Sequence, residues 1–98
     1  MKIQFLEAAQ REVDEAVAWY DEREQEEELG RDFLDELDPV IRRVKSFPLA
    51  STEIEPGIRR CLLARLPYGA IYGIDEDLVI VIAVSHLHRE PRYWVDRI

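Results

Sequence analysis

The sequence predicts a single α+β domain with the element order β-α-α-β-β-β, in which a helical hairpin packs on one face of a small antiparallel sheet. Two stretches in the first half of the chain repeat apolar residues at helical spacing. The second half has strand-like segments separated by short polar breaks, and the last of them, LVIVIAV, is apolar throughout. Residues 1–98 are assigned to one domain because a chain of this length supports one modest core.

The first half predicts a short strand followed by two helices. KIQFL, from Lys2 to Leu6, alternates apolar and polar residues, as a strand does. From Glu7 to about Glu28, apolar residues at three- and four-residue steps predict an amphipathic helix with an acidic outer face. Leu29-Gly30 is the expected corner of the hairpin, since glycine readily adopts the left-handed conformation that ends a helix.

The second helix follows from Phe33, Leu34, Leu37, Ile41 and Val44, which repeat the same period. Pro39 lies within it and removes a hydrogen bond to the carbonyl of Asp35, so we expect a kink or a restart near Asp38. Phe47-Pro48 should end the helix, and the polar segment up to Pro56 is predicted to be a loop.

Three strands are predicted in the second half, at Ile58–Leu66, Tyr68–Ile74 and 78–84. The turns between them are short, which favours an antiparallel meander. Because the last strand is apolar on both sides, it should be an interior strand beneath the helices. A short final helix or turn should contain Tyr93 and Trp94.

Composition and charge narrow the class of protein. The net charge of −8 argues against non-specific binding to nucleic acid, although residues 51–98 carry six arginines and a charge of only −1. The N-terminus has no secretory leader and no apolar run spans a bilayer, so we expect a cytoplasmic protein without membrane contact. Cys61 is the single cysteine, which excludes an internal disulfide.

His86 and His88 raise the question of a metal site, because residues two apart on a strand share a face and paired imidazoles can bind zinc. A metal needs further ligands, for which Cys61 and Asp96 are merely available. The preferred interpretation is that His86 ends the strand with a hydrogen bond to the backbone. No metal or cofactor is expected.

General acid/base cleavage of RNA is the most plausible enzymatic chemistry, because it needs a proton donor, a proton acceptor and cations for the phosphate. His86, Tyr93, Arg65 and Arg89 could supply these groups. In the alternative interpretation the arginines pair with neighbouring carboxylates, as surface arginines generally do. The chain has neither a nucleophile elbow nor a glycine-rich phosphate loop, so acyl transfer is set aside.

Aromatic residues of the second half, Tyr68, Tyr72, Tyr93 and Trp94, could stack on bases. Residues of this kind beside an apolar strand more often pack in a core or at a sheet edge. Core or edge packing is therefore the default interpretation.

Three segments together resemble the RelE/ParE superfamily of bacterial type II toxin–antitoxin toxins: LGRDFLDEL, GIRRCLLARLPYGAIYGI and VIAVSHLHREPRYWVDR. The ending His-x-x-Arg-x-Pro-x-Tyr-Trp, which begins at His86, is similar to the ParE or plasmid stabilisation branch. The resemblance covers almost the whole chain. It implies a helical hairpin on an antiparallel sheet, in agreement with the elements above.

The resemblance also implies a choice between two functions, since RelE-like toxins cut messenger RNA on the ribosome and ParE-like toxins inhibit DNA gyrase. In the ribonuclease branch a phosphate-holding arginine stands three residues before a tyrosine that corresponds to Tyr72, and this chain has Gly69 there. The expected lysine cluster is absent as well. Both points favour the gyrase inhibitor; a ribonuclease, or a non-toxic homologue that binds only the antitoxin, is the alternative.

A cognate ParD-like antitoxin, a small DNA-binding protein, is the partner that the resemblance implies. We expect it to place an apolar helix face on the hairpin and to add a strand along Arg59, Arg60 and Arg65. Sequence-specific binding of nucleic acid by this chain itself is not expected. The residues predicted to contact the target or the antitoxin are Arg59, Arg60, Arg65, Arg89, Tyr93 and Trp94.

Overall fold

The protein folds as a five-stranded sheet with a helical hairpin on one face, in a computed structural model that describes residues 1–23 and 29–98. The elements are β1 Lys2–Phe5, α1 Glu7–Arg23, α2 Leu29–Ser46, β2 Thr52–Glu55, β3 Ile58–Leu62, β4 Tyr68–Asp75, β5 Leu78–His86 and a 3-10 turn at Val95–Arg97. The strand order in the sheet is β1-β5-β4-β3-β2. The predicted α+β class is confirmed. None of the described helices is long and apolar enough to span a bilayer.

The predicted meander is present, since β3, β4 and β5 pair antiparallel in sequence order. The first strand differs from the expectation of a purely antiparallel sheet, because β1 pairs parallel to β5, from Lys2 opposite Leu78 to Phe5 opposite Val81. A parallel pair needs a long connection. The helices and the meander form this connection between β1 and β5. Because the other strands pair antiparallel, the sheet is mixed.

The segment predicted to be a loop contains an additional strand. β2 pairs antiparallel with β3 and forms one edge of the sheet. Pro56-Gly57 makes the turn between the two strands, and Gly57 has φ of 79°, in the left-handed region where a glycine costs little. As a result β3, which contains Arg59 and Arg60, has a neighbour on each side. The strand that we expected the antitoxin to add along these arginines therefore cannot pair there.

The helical hairpin agrees with the prediction except at its corner and at its proline. Gly30 lies in the first turn of α2, so the prediction that it ends the first helix is wrong. The predicted end of the first helix, at about Glu28, falls in residues 24–28, which lie outside the described residues. α2 runs through Pro39 as one helix, so the restart expected near Asp38 does not occur.

Two apolar clusters lie on opposite faces of the sheet. The larger cluster packs helix residues such as Phe33 and Val44 against sheet residues such as Tyr72. The smaller cluster, of Ile71, Ile82, Ala83 and Trp94, lies beneath the C-terminal turn. β5 contributes Val79, Val81 and Val84 to the first cluster and Ile82 and Ala83 to the second. This confirms the prediction of an interior strand that is buried on both faces.

Glu36 ties the second helix to the loop between β3 and β4. Its Oε1 accepts the backbone N–H groups of Arg65 at 2.8 Å and Leu66 at 2.9 Å, and Arg65 Nε lies 3.4 Å from Oε2. Burial of this carboxyl opposes ionisation, but these hydrogen bonds outweigh it and hold the pKa of Glu36 below its usual value.

We predict that Glu36→Ala lowers the free energy of unfolding at pH 7 by about 1–3 kcal/mol, because two backbone donors lose their acceptor. The stabilisation is fully present above the unfolded-state pKa of glutamate, about 4.3, and is lost as the pH falls through the lower folded-state value. Urea unfolding at pH 7 and at about pH 3 measures both effects. Asp35→Ala, at an exposed neighbour, is the control; an equal loss for Glu36→Ala at both pH values would contradict the prediction.

Candidate functional site

The end of β5, the turn that follows it and the neighbouring strands form a pocket of about 280 Å³. Five of the residues selected from the sequence line this pocket: Arg60, His86, Arg89, Tyr93 and Trp94. They come from β3, from β5 and from the C-terminal turn, so the antiparallel meander brings them together. The structure thus assembles most of the predicted site in one place.

Arg59 and Arg65 lie elsewhere. The Arg59 guanidinium donates to the carbonyls of Leu49 at 3.1 Å and Ser51 at 2.8 Å, and it lies 3.7 Å from Glu53 Oε2. It therefore holds the loop between α2 and β2 in place. Arg65 has an exposed side chain, 82% accessible, that pairs with Glu36. Both arginines follow the alternative interpretation, in which they pair with groups of their own chain.

Trp94 is only 2% exposed and packs against Ile71, Ile82 and Ala83. Although Trp94 borders the pocket, almost none of its surface is accessible, so its predicted role in direct contact with a partner is corrected to a core role. Tyr72 is also fully buried, and its hydroxyl donates to the carbonyl of Pro48 at 2.6 Å. The default interpretation of these two aromatic residues as core is confirmed.

His86 is the last residue of β5, as predicted. Its Nδ1 accepts the backbone N–H of His88 at 3.0 Å, and its ring meets the Tyr68 ring edge-on at 5.1 Å. The predicted backbone hydrogen bond at the strand end is confirmed. Within the described part of the chain, no group of three or more His, Cys, Asp and Glu side chains is placed to hold a metal ion.

Glu12 is the residue that sequence reasoning missed. It lies on α1, it is 8% exposed, and its carboxylate reaches the C-terminal turn. Arg97 Nη1 donates to Oε1 at 2.8 Å, Arg97 Nη2 donates to Oε2 at 3.2 Å, and the Tyr93 hydroxyl donates to Oε2 at 2.6 Å. Arg89 Nη1 lies 3.4 Å from the same Oε2. The carboxylate pairs with two arginines and accepts a hydrogen bond from the phenol.

Tyr93 is held in its neutral form by this arrangement. Burial raises the pKa of Tyr93 to about 12, and the hydrogen bond to Glu12 contributes in the same direction. The Arg89 guanidinium lies over the ring, 3.9 Å from its centroid, as a cation–π contact. The phenol is thus a donor that is already used within the protein.

The Glu12 carboxylate also completes the hydrogen bonding of β5. This strand continues to His86, whereas its neighbour β1 ends opposite Val81. Beyond that point the Val84 N–H donates to Glu12 Oε1 at 3.1 Å, and Arg97 Nη1 donates to the carbonyl of Ile82 at 3.1 Å. An ion pair therefore satisfies backbone groups that β1 leaves unpaired.

Gly69 lies on β4 opposite Leu62, and a side chain from the neighbouring strand covers it. A Cβ atom at Gly69 would lie 3.0 Å from Arg60 Cγ and 3.2 Å from Arg60 Cδ. The space of the arginine that the ribonuclease branch would have here is thus occupied by the stem of Arg60. The pocket therefore has a cation beside Gly69, the guanidinium of Arg60.

The helical hairpin on this sheet, with an arginine-lined pocket at the C-terminal turn, defines a small α+β protein with the fold of type II toxin subunits. A chain in the solved structure titled "Chromosomal ParDE TA system from P. aeruginosa" is similar, with a TM-score of 0.74 and 13% identity over 90% of this chain and 97% of that chain. A search of curated proteins found no significant match.

The family model described as "ParE toxin of type II toxin-antitoxin system, parDE" matches residues 3–91. The chain belongs to this family of ParE toxins. The family resemblance stated from the sequence is confirmed.

We predict that Glu12→Ala lowers the free energy of unfolding by about 2–4 kcal/mol, because the partly buried Arg97 loses its ion pair and the buried Val84 N–H loses its acceptor. Glu12→Gln should lower it less, since one acceptor oxygen remains. Denaturant unfolding measures both. Glu7→Ala removes a glutamate on the same helix whose ion pair with Arg11 is exposed, and it should change stability by less than about 0.5 kcal/mol. An equal effect of the two alanine variants would contradict the prediction.

Proposed function

We propose that this chain is the toxin of a ParDE-type pair, that it inhibits DNA gyrase in the cytoplasm, and that a cognate ParD-like antitoxin neutralises it. Membership in the ParE toxin family supports a toxin with a cognate antitoxin. The target-binding surface that we propose comprises Arg60, Arg89 and Tyr93, which line one pocket. We prefer gyrase to messenger RNA as the target because the groups that RNA cleavage would need are paired within the protein.

The contacts of Glu12 favour a binding function over RNA cleavage. A ribonuclease of the RelE kind needs a group that gives or takes a proton and cations that are free to hold the phosphate. In this chain the Tyr93 hydroxyl donates to Glu12, and Arg89 and Arg97 pair with the same carboxylate. A phosphate in the pocket would have to compete with a buried negative charge. The groups that cleavage would use therefore serve the protein's own structure.

A ribonuclease remains the second candidate function because of Arg60. The aliphatic part of the Arg60 side chain passes over Gly69, so Arg60 supplies a cation near the position where the sequence has no arginine. One free cation supplies only part of the catalytic machinery, because the Tyr93 hydroxyl already donates to Glu12. The two functions differ in their cellular products, so one set of measurements separates them.

We predict that expression without the antitoxin causes filamentation and the DNA-damage response, and that the purified chain inhibits supercoiling by gyrase. Arg89→Gln should weaken inhibition about tenfold or more, because a half-exposed arginine at a pocket is a typical interface hot spot. Arg11→Gln, which changes an exposed arginine on α1, is the control with the same change in charge.

Messenger RNA cut at ribosomal A sites, with gyrase unaffected, would replace the gyrase proposal by the ribonuclease. Absence of any growth defect would favour the non-toxic homologue. Thermal unfolding of both variants checks that a lost effect reflects the surface and not the fold.

The antitoxin is proposed to place an apolar helix on the outer face of α2. Leu34 is 46% exposed there and forms an open groove with Leu37 and Ile41. Asp35, Asp38 and Arg42 line the same groove, so a helix with an apolar stripe and mixed charges would fit it.

We predict that Leu34→Glu weakens binding of the antitoxin by at least about thirtyfold, which is the effect of losing an interface hot spot. Leu49→Glu is the control, because Leu49 is 68% exposed and lies outside the groove. Titration of the purified toxin with the product of the neighbouring reading frame measures both. Equal weakening by the two changes would place the antitoxin elsewhere.

A further inference from the structure

Arg60 differs from the other arginines of the pocket. Arg89 pairs with Glu12 and Arg92 pairs with Glu55 at 2.8 Å. The Arg60 side chain is exposed, and among residues 1–23 and 29–98 it has no hydrogen-bond or ion-pair partner. A guanidinium that lines a pocket and has no partner within the protein is available for an anion from outside.

The position of Arg60 depends on the absence of a side chain at Gly69. The Arg60 Cγ and Cδ atoms lie where a Cβ at residue 69 would contact them at 3.0–3.2 Å, closer than ordinary van der Waals contact. Leu62 Cδ2 would lie 3.1 Å from the same Cβ. Gly69 thus leaves room for the Arg60 stem to lie against the sheet, with the side chain lining the pocket.

The surroundings of Arg60 indicate which anion fits. Glu55 and Glu90 line the same pocket, and Glu90 has no ion-pair partner within the described residues. Because Glu55 is paired with Arg92, it is the unpaired Glu90 carboxylate that repels the continuous negative charge of a nucleic-acid backbone. Leu87 in the pocket is 42% exposed and Leu62 beside Gly69 is 47% exposed. A single carboxylate with apolar neighbours suits this surface better than a run of phosphates.

We propose that the pocket at Arg60 binds a side-chain carboxylate of a protein partner, that apolar side chains on either side of that carboxylate contact Leu62 and Leu87, and that Gly69 fixes the position of Arg60. Arg60 forms the charge-assisted hydrogen bonds and Glu90 excludes polyanions. The inference follows from the geometry of the pocket and does not depend on whether gyrase is the target.

The test uses the purified full chain and a synthetic peptide, acetyl-Leu-Glu-Leu-Glu-Leu-amide, with its glutamine counterpart and inorganic phosphate as comparison ligands. Titration followed by the NMR signals of the arginine Nε–H groups should show saturable binding of the glutamate peptide at Arg60. The Arg60→Gln change should weaken this binding roughly tenfold to a hundredfold, as expected for losing a charge-assisted hydrogen bond. Gly69→Ala should cause a smaller loss, because it displaces the Arg60 stem and retains the charge.

Arg11→Gln is the matched control, because it removes an equal charge from an exposed arginine outside the pocket and should leave peptide binding unchanged. Three outcomes would each overturn the proposal. The glutamate peptide fails to bind at millimolar concentration, or Arg60→Gln binds it as the wild type does, or phosphate displaces it with the same dependence on Arg60. The last outcome would identify a phosphate site. Thermal unfolding of each variant confirms that a loss of binding is local.

Discussion

The buried carboxylate of Glu12 is the interaction on which the C-terminal part of this structure depends. A carboxylate taken out of water costs several kcal/mol unless it is well paired. Here its two oxygens accept from Arg97, from the Tyr93 hydroxyl and from the Val84 N–H. These donors come from β5 and the C-terminal turn, whereas the acceptor is on α1. One side chain therefore fixes the helix, the sheet and the turn relative to one another.

The same carboxylate limits the chemistry of the pocket. Groups that could hold a phosphate or transfer a proton, Arg89 and Tyr93, have a partner inside the protein before any ligand arrives. The second cluster, which includes Trp94, lies beneath the turn and keeps it against the sheet. A turn whose polar groups are bonded within the protein is consistent with the proposed recognition of another protein, because these groups are already positioned before binding. Glu12 therefore both stabilises the C-terminal turn and occupies the groups, Arg89 and Tyr93, that could otherwise act on a ligand.

The sequence predicts the elements with strong periodicity and misses those that depend on distant contacts. Both helices and the meander follow from local patterns, whereas the parallel pairing of β1 with β5 joins residues more than seventy positions apart. For two features that we did not predict, Glu12 and the strand β2, the sequence does contain an indication. Glu12 lies between Ala9 and Ala16 on the buried face of α1, which is an unusual position for an acidic residue in a core-facing stripe. Pro56-Gly57 is typical of a turn, and before it the apolar Ile54 alternates with Glu53 and Glu55, as in a strand.

Gly69 shows why residue types alone are a limited guide to a site. The absence of a side chain there suggested the absence of a cation, and the structure instead places Arg60 of the neighbouring strand in that space. In an antiparallel sheet, side chains on one face reach across strands to neighbours that are distant in sequence. A group missing at one position can therefore be supplied from the same face of the neighbouring strand, here by Arg60, which lies two residues from Leu62, the partner of Gly69. The proposal of a binding function therefore rests less on the missing arginine at Gly69 than on the pairing of Tyr93 and Arg89 with the buried carboxylate of Glu12.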